Sequence, residues 1–364
     1  MTTTIDNEQK TLNVPNLRFP EFQGEWEKCK LGDVCNTSTG NKNTQDKTDD
    51  GIYPFYVRSQ TVERINSWTF DGEAILTAGD GVGVGKVFHH TYGKIGVHQR
   101  VYILSNFKCD ANYLFHFFSS KFYNRVKRMS AKNSVDSVRK EMITDMPLSL
   151  PCCQEQVKIG YILSILDERI STQNKIIEKL ETLIKGIRAR LTQQVGGDFV
   201  YLSEIAQIYQ PQTISLSELT KEGYLVYGAN GVIGKYREYN HQTEQICITC
   251  RGNTCGVVNY TQPKSWITGN AMVINTDDFK EKVFKRYLYH YLSAYNFNRI
   301  ISGSGQPQIV RSPLEKLRIA LPTMQQQINI AKTLDKFQEK IDANAYTLKL
   351  YLWQKEYLLQ QMFI

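Results

Sequence analysis

The segment "LPCCQEQVKIGYILSILDERI" (Leu150 to Ile170) returns 171 positions later as "LPTMQQQINIAKTLDKFQEKI" (Leu321 to Ile341), with eight of 21 positions identical. The same offset places "KLGDV" (Lys30 to Val34) on "YLSEI" (Tyr201 to Ile205). It also places "GEAILTAGDGVGVGKV" (Gly72 to Val87) on "TEQICITCRGNTCGVV" (Thr243 to Val258), so that Gly81 falls on Gly252 and Gly85 on Gly256. "YNRV" at Tyr123 meets "FNRI" at Phe297 with an offset of 174, so three residues are gained and later lost. A duplication of this size constrains the fold before anything else does, because both copies must fold alike. The unit is far too long for a solenoid repeat; it is a domain plus a helix, used twice.

Each copy opens with short β-type runs separated by turn residues, as in "GEAILTAGDG" and "TEQICITCRG". An aromatic-rich helical segment follows, "ANYLFHFFSSKFYNRVKRM" in the first and "KRYLYHYLSAYNFNRII" in the second. A polar loop and a last strand ending in Leu-Pro complete the unit. This order predicts a compact α+β head of β-meander or Greek-key character. The expected boundaries are 17–152 and 197–323 for the heads, with spacer helices over 153–196 and 324–364.

After each Leu-Pro the period changes. Apolar residues fall at Leu163, Leu166, Ile170, Ile177, Leu180, Ile184, Ile187 and Leu191, with Gln173 at the one polar step. The alternating spacing of three and four is a heptad seam. The second copy gives Leu334, Phe337, Ile341, Asn344, Leu348, Tyr351, Lys355, Leu358 and Met362, where Lys355 is the one defect. Helices of ~40 residues are about 60 Å long at 1.5 Å per residue. Each needs a partner for its apolar stripe, and the economical partner is the other copy. The expectation is an antiparallel coiled coil with pseudo-twofold symmetry, holding a head at each end. The plainer reading is two separate surface helices, each packed on its own head.

Composition bounds the partners. The 364 residues include 44 Lys and Arg against 36 Asp and Glu, a formal charge of +8. That excess permits a polyanion but does not demand one. No apolar run approaches the ~18 residues of a membrane span, and "MTTTIDNEQK" lacks a signal-peptide pattern, so a cytoplasmic location is expected. Eight cysteines in such a chain read as reduced thiols.

Two similar heads on a helical spacer suit double-stranded DNA, whose grooves repeat every ~34 Å. Diverged heads would read two different half-sites. The phrases "LRFPEFQGEWEKCKLGDV", the Leu-Pro-to-Gln-x-Gln start of each helix, and "SGSGQPQI" (Ser302 to Ile309) resemble the specificity subunit of type I restriction–modification systems. The resemblance covers the chain from about Leu17 onward. It implies two target recognition domains, each reading one half of a bipartite DNA site. It implies helices that dock two modification (methyltransferase) subunits, with restriction subunits joining. S-adenosylmethionine, ATP and magnesium would then belong to those partners, and this chain would carry no cofactor of its own.

"GDGVGVGK" (Gly79 to Lys86) lacks the Gly-Lys-Ser/Thr of a phosphate loop, and its counterpart "CRGNTCG" loses the lysine. A tight turn needing positive φ at glycine is the better reading. Lys86, Arg251 and Asn253 on these turns are candidates for phosphate or base-edge contact. Cys247, Cys250 and Cys255 do not read as a metal site, since residues three apart on a strand face opposite ways. His89, His90 and His98 find Tyr260 and Gly269 in the second copy, and read as surface or groove residues. The polar loops "RMSAKNSVDSVRK" and "ISGSGQPQIVR" are richer: Lys132, Asn133 and Arg139, and Gln306, Gln308 and Arg311, carry groups that pair with guanine or adenine edges. The plainer reading is that these loops pin each head to its helix. The chain shows no Asn-Pro-Pro-aromatic stretch, no phosphate loop and no zincin motif, so neither catalytic nor metal residues are expected. The competing function is a non-catalytic coiled-coil scaffold whose heads bind proteins, which would scatter its lysines and arginines.

Overall fold

The computed structural model describes residues 12–129, 137–194, 196–229, 231–303 and 305–364. It divides into two compact units, Met1–Gln173 with Thr347–Ile364, and Asn174–Tyr346. The division does not follow the domain-then-helix order of the sequence. Each unit takes one head, half of one long helix and half of the other.

In unit one the head comprises β1 (Glu27–Lys30), α1 (Leu31–Val34), β2 (Asn36–Thr39), β3 (Tyr53–Tyr56), β4 (Val62–Ile65), β5 (Phe70–Ala78), β6 (Phe88–Val97), β7 (Val101–Ser105), α2 (Ala111–Met129), α3 (Lys140–Thr144) and β8 (Pro147–Leu150); α4 (Cys153–Gln194) then begins. The main sheet runs in the order β2-β7-β5-β6-β3-β4, and β1 pairs separately with β8. Unit two repeats the plan with β9 (Asp198–Tyr201), β10 (Gln207–Tyr209), β11 (Tyr224–Gly228), β12 (Gly231–Tyr236), β13 (Ile246–Thr249), β14 (Val258–Tyr260), β15 (Trp266–Ile267), β16 (Ala271–Asn275), α5 (Lys285–Ala294), α6 (Arg311–Glu315), β17 (Arg318–Leu321) and α7 (Met324–Gln361). Its sheets run β10-β16-β13-β14 and β12-β11-β15, with β9 paired to β17.

The heads are α+β, but they are not simple meanders. β3 runs parallel to β6 (Phe55 opposite Gly96), and β11 parallel to β15 (Val226 opposite Trp266). A hairpin early in each head closes on a later strand, and that return requires a parallel contact.

The duplication is legible bond by bond. Glu27 faces Leu150, and Asp198 faces Leu321, each 171 positions on. The Tyr113 hydroxyl donates to Ser149 O at 2.8 Å, and the Tyr287 hydroxyl to Ala320 O at 2.7 Å. The repeated glutamine of each helix start is a buried lock. Gln156 Nε2 donates to Pro151 O at 2.8 Å while its Oε1 accepts the Asp110 N–H. Gln327 Nε2 donates to Pro322 O at 2.9 Å while its Oε1 accepts the Phe284 N–H. Each glutamine joins the last strand's exit to the start of the aromatic helix, satisfying backbone groups that burial would otherwise orphan.

Both central strands bury two faces. In β5, Ile75 faces the cluster of Tyr113, Leu114, Phe118 and Phe122, while Ala74 and Leu76 face a second cluster with Val97 and Ile103. In β13, Ile246 and Ile248 face the helix side, and Cys247 faces Tyr227 and Ile267. Period-two alternation thus feeds two small cores per head.

The seam residues of both helices lie buried or half-buried. In unit one, Leu163 packs in the cluster that holds Leu358, Leu359 and Met362. Asp167 pairs with Lys355, and Arg169 lies over the Tyr351 ring at 5.9 Å. As α4 advances its partners on α7 recede, so the pair is antiparallel. Lys355 is therefore no defect: the cation in the seam meets a carboxylate. In unit two, Leu180, Ile184, Ile187 and Leu191 pack with Ile330, Leu334, Phe337 and Ile341. Arg188 Nη2 donates there to Gln338 Oε1 at 3.2 Å, and Gln338 is the counterpart of Asp167. Ile170, Ile177 and Leu348 are half-buried, Gln173 is buried, and Asn344 Nδ2 donates to Lys340 O at 2.6 Å.

The N-terminal phrase "LRFPEFQGEW" pins the start of α4. Arg18 forks onto Glu155 at 2.7 and 2.8 Å, and Nη1 donates to Gly24 O. Glu155 is fully buried, and a bidentate guanidinium is the partner such a carboxylate needs.

Burial also sets a pH response. His116, 1% exposed, contacts Ser164 Oγ at 3.3 Å, with Asp167 at 3.7 Å and Lys355 nearby. Loss of hydration, reinforced by the nearby Lys355 ammonium, holds its pKa down at about 3. The unfolded chain takes this proton below about 6.5, and the folded one does not. Stability should therefore be complete above that pH and fall as pH drops toward 3, by at most about 1.4 kcal/mol per unit. His290 adds to this: burial holds it near 4, although Asp335 at 2.8 Å pulls the other way. Urea midpoints at stepped pH should show the decline, and His116→Gln should flatten part of it; an unchanged slope would refute the assignment.

Candidate nucleic-acid interface

Each head carries a glycine turn after its central strand. Gly81 and Gly85 adopt φ of 75° and 63°, and Gly252 and Gly256 adopt 82° and 92°. These are left-handed values that a side chain resists, which is why glycine stands at both places twice.

The polar loop before the last strand is tied to this turn in both heads. The Val138 N–H donates to Gly79 O at 2.7 Å, and the Ile309 N–H donates to Cys250 O at 3.0 Å. Bridges join Asp80 to Ser137 and, 171 positions on, Arg251 to Gln308. The Gly252 N–H also donates to Pro307 O, and Ser302 and Gln308 exchange backbone bonds. Turn and loop therefore form one platform per head.

On the second platform Arg251, Asn253, Gln306 and Gln308 are all exposed, and the Arg251–Gln308 bridge brings the two polypeptide segments together. Arg311 is exposed nearby in sequence, at the first residue of α6, where its Nε meets Glu315 at 2.6 Å. On the first, Lys86 is exposed with its Nζ 5.5 Å from the Tyr123 ring centroid. Arg139 is exposed at the N-cap of α3. Lys132 and Asn133 lie outside the described residues.

Two cations escaped the sequence reading. Arg58 Nη1 donates to Asp80 Oδ1 at 2.9 Å, and Arg100 Nε lies 3.6 Å from Asp80 Oδ2. Each comes from a segment remote in sequence from the turn. The repeat marks only their anchor, since Asp80 occupies the position of Arg251.

The other candidates disperse. Cys247 and Cys250 join different core clusters, and burial pushes the Cys247 thiol up to about 12. His89 contacts Ser59 O, His90 pairs with Glu73 at 3.0 Å, and buried His98 accepts the Arg100 N–H at its Nδ1. Among the described residues, no three His, Cys, Asp or Glu side chains stand together as a metal site. Among the same residues, no helix is long and apolar enough to cross a membrane.

Fold and platform together define a tandem-duplicated α+β protein that presents one exposed turn-and-loop surface per head. The chain belongs to the type I restriction modification DNA specificity domain family, which it matches twice, over residues 23–182 and 195–350. It is similar to the type I restriction enzyme EcoDI specificity subunit of Escherichia coli, at 28% identity over 48% of this chain and 38% of that one. The aligned part thus spans well under half of that relative. The type I restriction enzyme MjaVIII specificity subunit of Methanocaldococcus jannaschii is 24% identical over 92% of this chain and 90% of its own. The crystal structure of a type I restriction–modification system S subunit from M. genitalium shares the fold, with a TM-score of 0.75 and 17% identity over 96% of this chain and 99% of that one.

Proposed function

We propose that the chain is the DNA-reading specificity subunit of a type I restriction–modification complex. It has no catalytic role of its own and works in the cytoplasm. Its heads read the two unlike halves of a bipartite, asymmetric site in double-stranded DNA. Its helices dock two methyltransferase subunits, with restriction subunits joining; S-adenosylmethionine, ATP and magnesium act on those partners.

The duplicated platform carries this reading. One backbone scaffold is kept in both heads, while the side chains it displays differ: Asp80 against Arg251, Gly81-Val82 against Gly252-Asn253. A fixed approach with changed contacts is what two different half-sites demand.

Selection of bound duplexes from a randomised pool by the full chain should return a two-part sequence. Affinity should fall steeply with salt, because phosphate contacts release counterions. Lys86→Ala and Arg251→Ala should each weaken binding to all sequences and reduce the log–log salt slope by about 1. Gln306→Ala or Gln308→Ala should relax one half-site only, by roughly 1–3 kcal/mol. A binding curve indifferent to salt would instead favour a protein-binding scaffold.

A further inference from the structure

We infer that Asp80 is a positioning residue for base recognition by the first head. It gathers Arg58 and Arg100 at the platform and fixes their guanidinium groups where the second head places Arg251 directly. The inference rests on the DNA-reading function proposed above.

A lone carboxylate on a DNA-facing turn would be repelled by phosphate. Asp80 is not alone. Arg58 follows β3, Arg100 lies between β6 and β7, and both reach its two oxygens, at 2.9 and 3.6 Å. The three groups sum to one positive charge, the charge that Arg251 brings alone; Arg251 has no ion pair among the described residues. The two heads thus reach the same local charge by different routes.

The backbone around Asp80 is held from both flanks. The Gly79 N–H donates to Arg100 O at 2.8 Å, the Val138 N–H donates to Gly79 O, and Asp80 bridges Ser137. The carboxylate is the least exposed of the three side chains, at 26% against 45% for Arg58 and 64% for Arg100. Its arginines therefore face outward. Exposed ion pairs add little stability, at most about 1 kcal/mol, so the value of this one lies in orientation. Arg58 donates a hydrogen bond to Asp80 through Nη1, while Arg100 Nε stands 3.6 Å away as an ion pair without a hydrogen bond, so donors remain on each guanidinium for the acceptors of a guanine edge, O6 and N7. A fixed guanidinium discriminates; a wandering one only attracts phosphate.

The test uses the full chain and a randomised duplex pool, read by sequencing. Asp80→Asn should raise affinity for random DNA, because a repulsive charge is gone. It should lower guanine preference at one or two positions of one half-site by about 5- to 150-fold, and leave the other half intact. A chain carrying Arg58→Lys and Arg100→Lys keeps its charge and should keep its salt slope, yet lose the same positions. Asp80→Glu should restore part of the preference, which a folding defect would not allow. Unchanged preference in both Asp80→Asn and the double lysine chain overturns the inference, as does equal loss in both halves; the DNA-reading function would survive either result. If the unaltered chain selects no sequence at all, that function falls and this inference with it.

Discussion

Exchanging the first head for that of a related specificity chain should change one half of the selected DNA sequence and leave the other half as it was. The boundaries are physical. β1 and β8 close the head with Glu27 opposite Leu150, so residues 27–150 leave and return at a paired edge. The graft must also bring its own versions of the helix ends, because Thr347–Ile364 belongs to the same compact unit. Each mismatched base pair costs about 1–3 kcal/mol. A few altered contacts would therefore bring the old half-site close to non-specific affinity. The comparison with the unaltered chain is made on duplexes differing in one half at a time. A swap that altered both halves, or neither, would end the modular interpretation.

Phe363→Ala should destabilise unit one by about 3–5 kcal/mol, the cost of emptying a packed aromatic site. Phe363 is 3% exposed, with its ring 5.2 Å from Tyr113 and 5.8 Å from Phe117. Met362, equally buried, sits beside it, and the Leu17 N–H donates to Gln361 O. The residues at and just past the end of α7 are thus part of the first head's core, about 250 positions in sequence from the Tyr113 and Phe117 rings they pack against. Denaturation followed by a probe in that head should shift to lower urea, while Trp353→Ala, at a 68% exposed site, should move it by no more than about 0.5 kcal/mol. Equal shifts for the two variants would show that the core assignment is wrong.

The sequence determined the larger plan. The 171-residue offset carried the duplication, because the repeated bonds join residues within one copy at separations that are equal in both copies or differ by three. The heptad seam carried the helices, since a 3.5 period is written along the chain itself. Gly81 and Gly252 announced the turns, because only glycine accepts that backbone without cost. The rejection of Cys247 and Cys250 as joint ligands followed from strand alternation alone.

Tertiary structure decided what depends on residues far apart in the chain. Lys355 broke the seam on paper, and only the antiparallel register brought Asp167 to it. The parallel pairing of β3 with β6 is invisible locally, since a strand's pattern does not name its neighbour. Arg58 and Arg100 lie 22 and 20 positions from Asp80 on either side, within ordinary loops, and nothing in their flanks marks them. They meet because β3 packs in parallel beside β6 while the turn after β5 is bonded to Arg100 O. Long-range ion pairs leave no periodic trace in a sequence, so only the folded chain could bring Arg58 and Arg100 to Asp80, at the position that Arg251 holds in the second head.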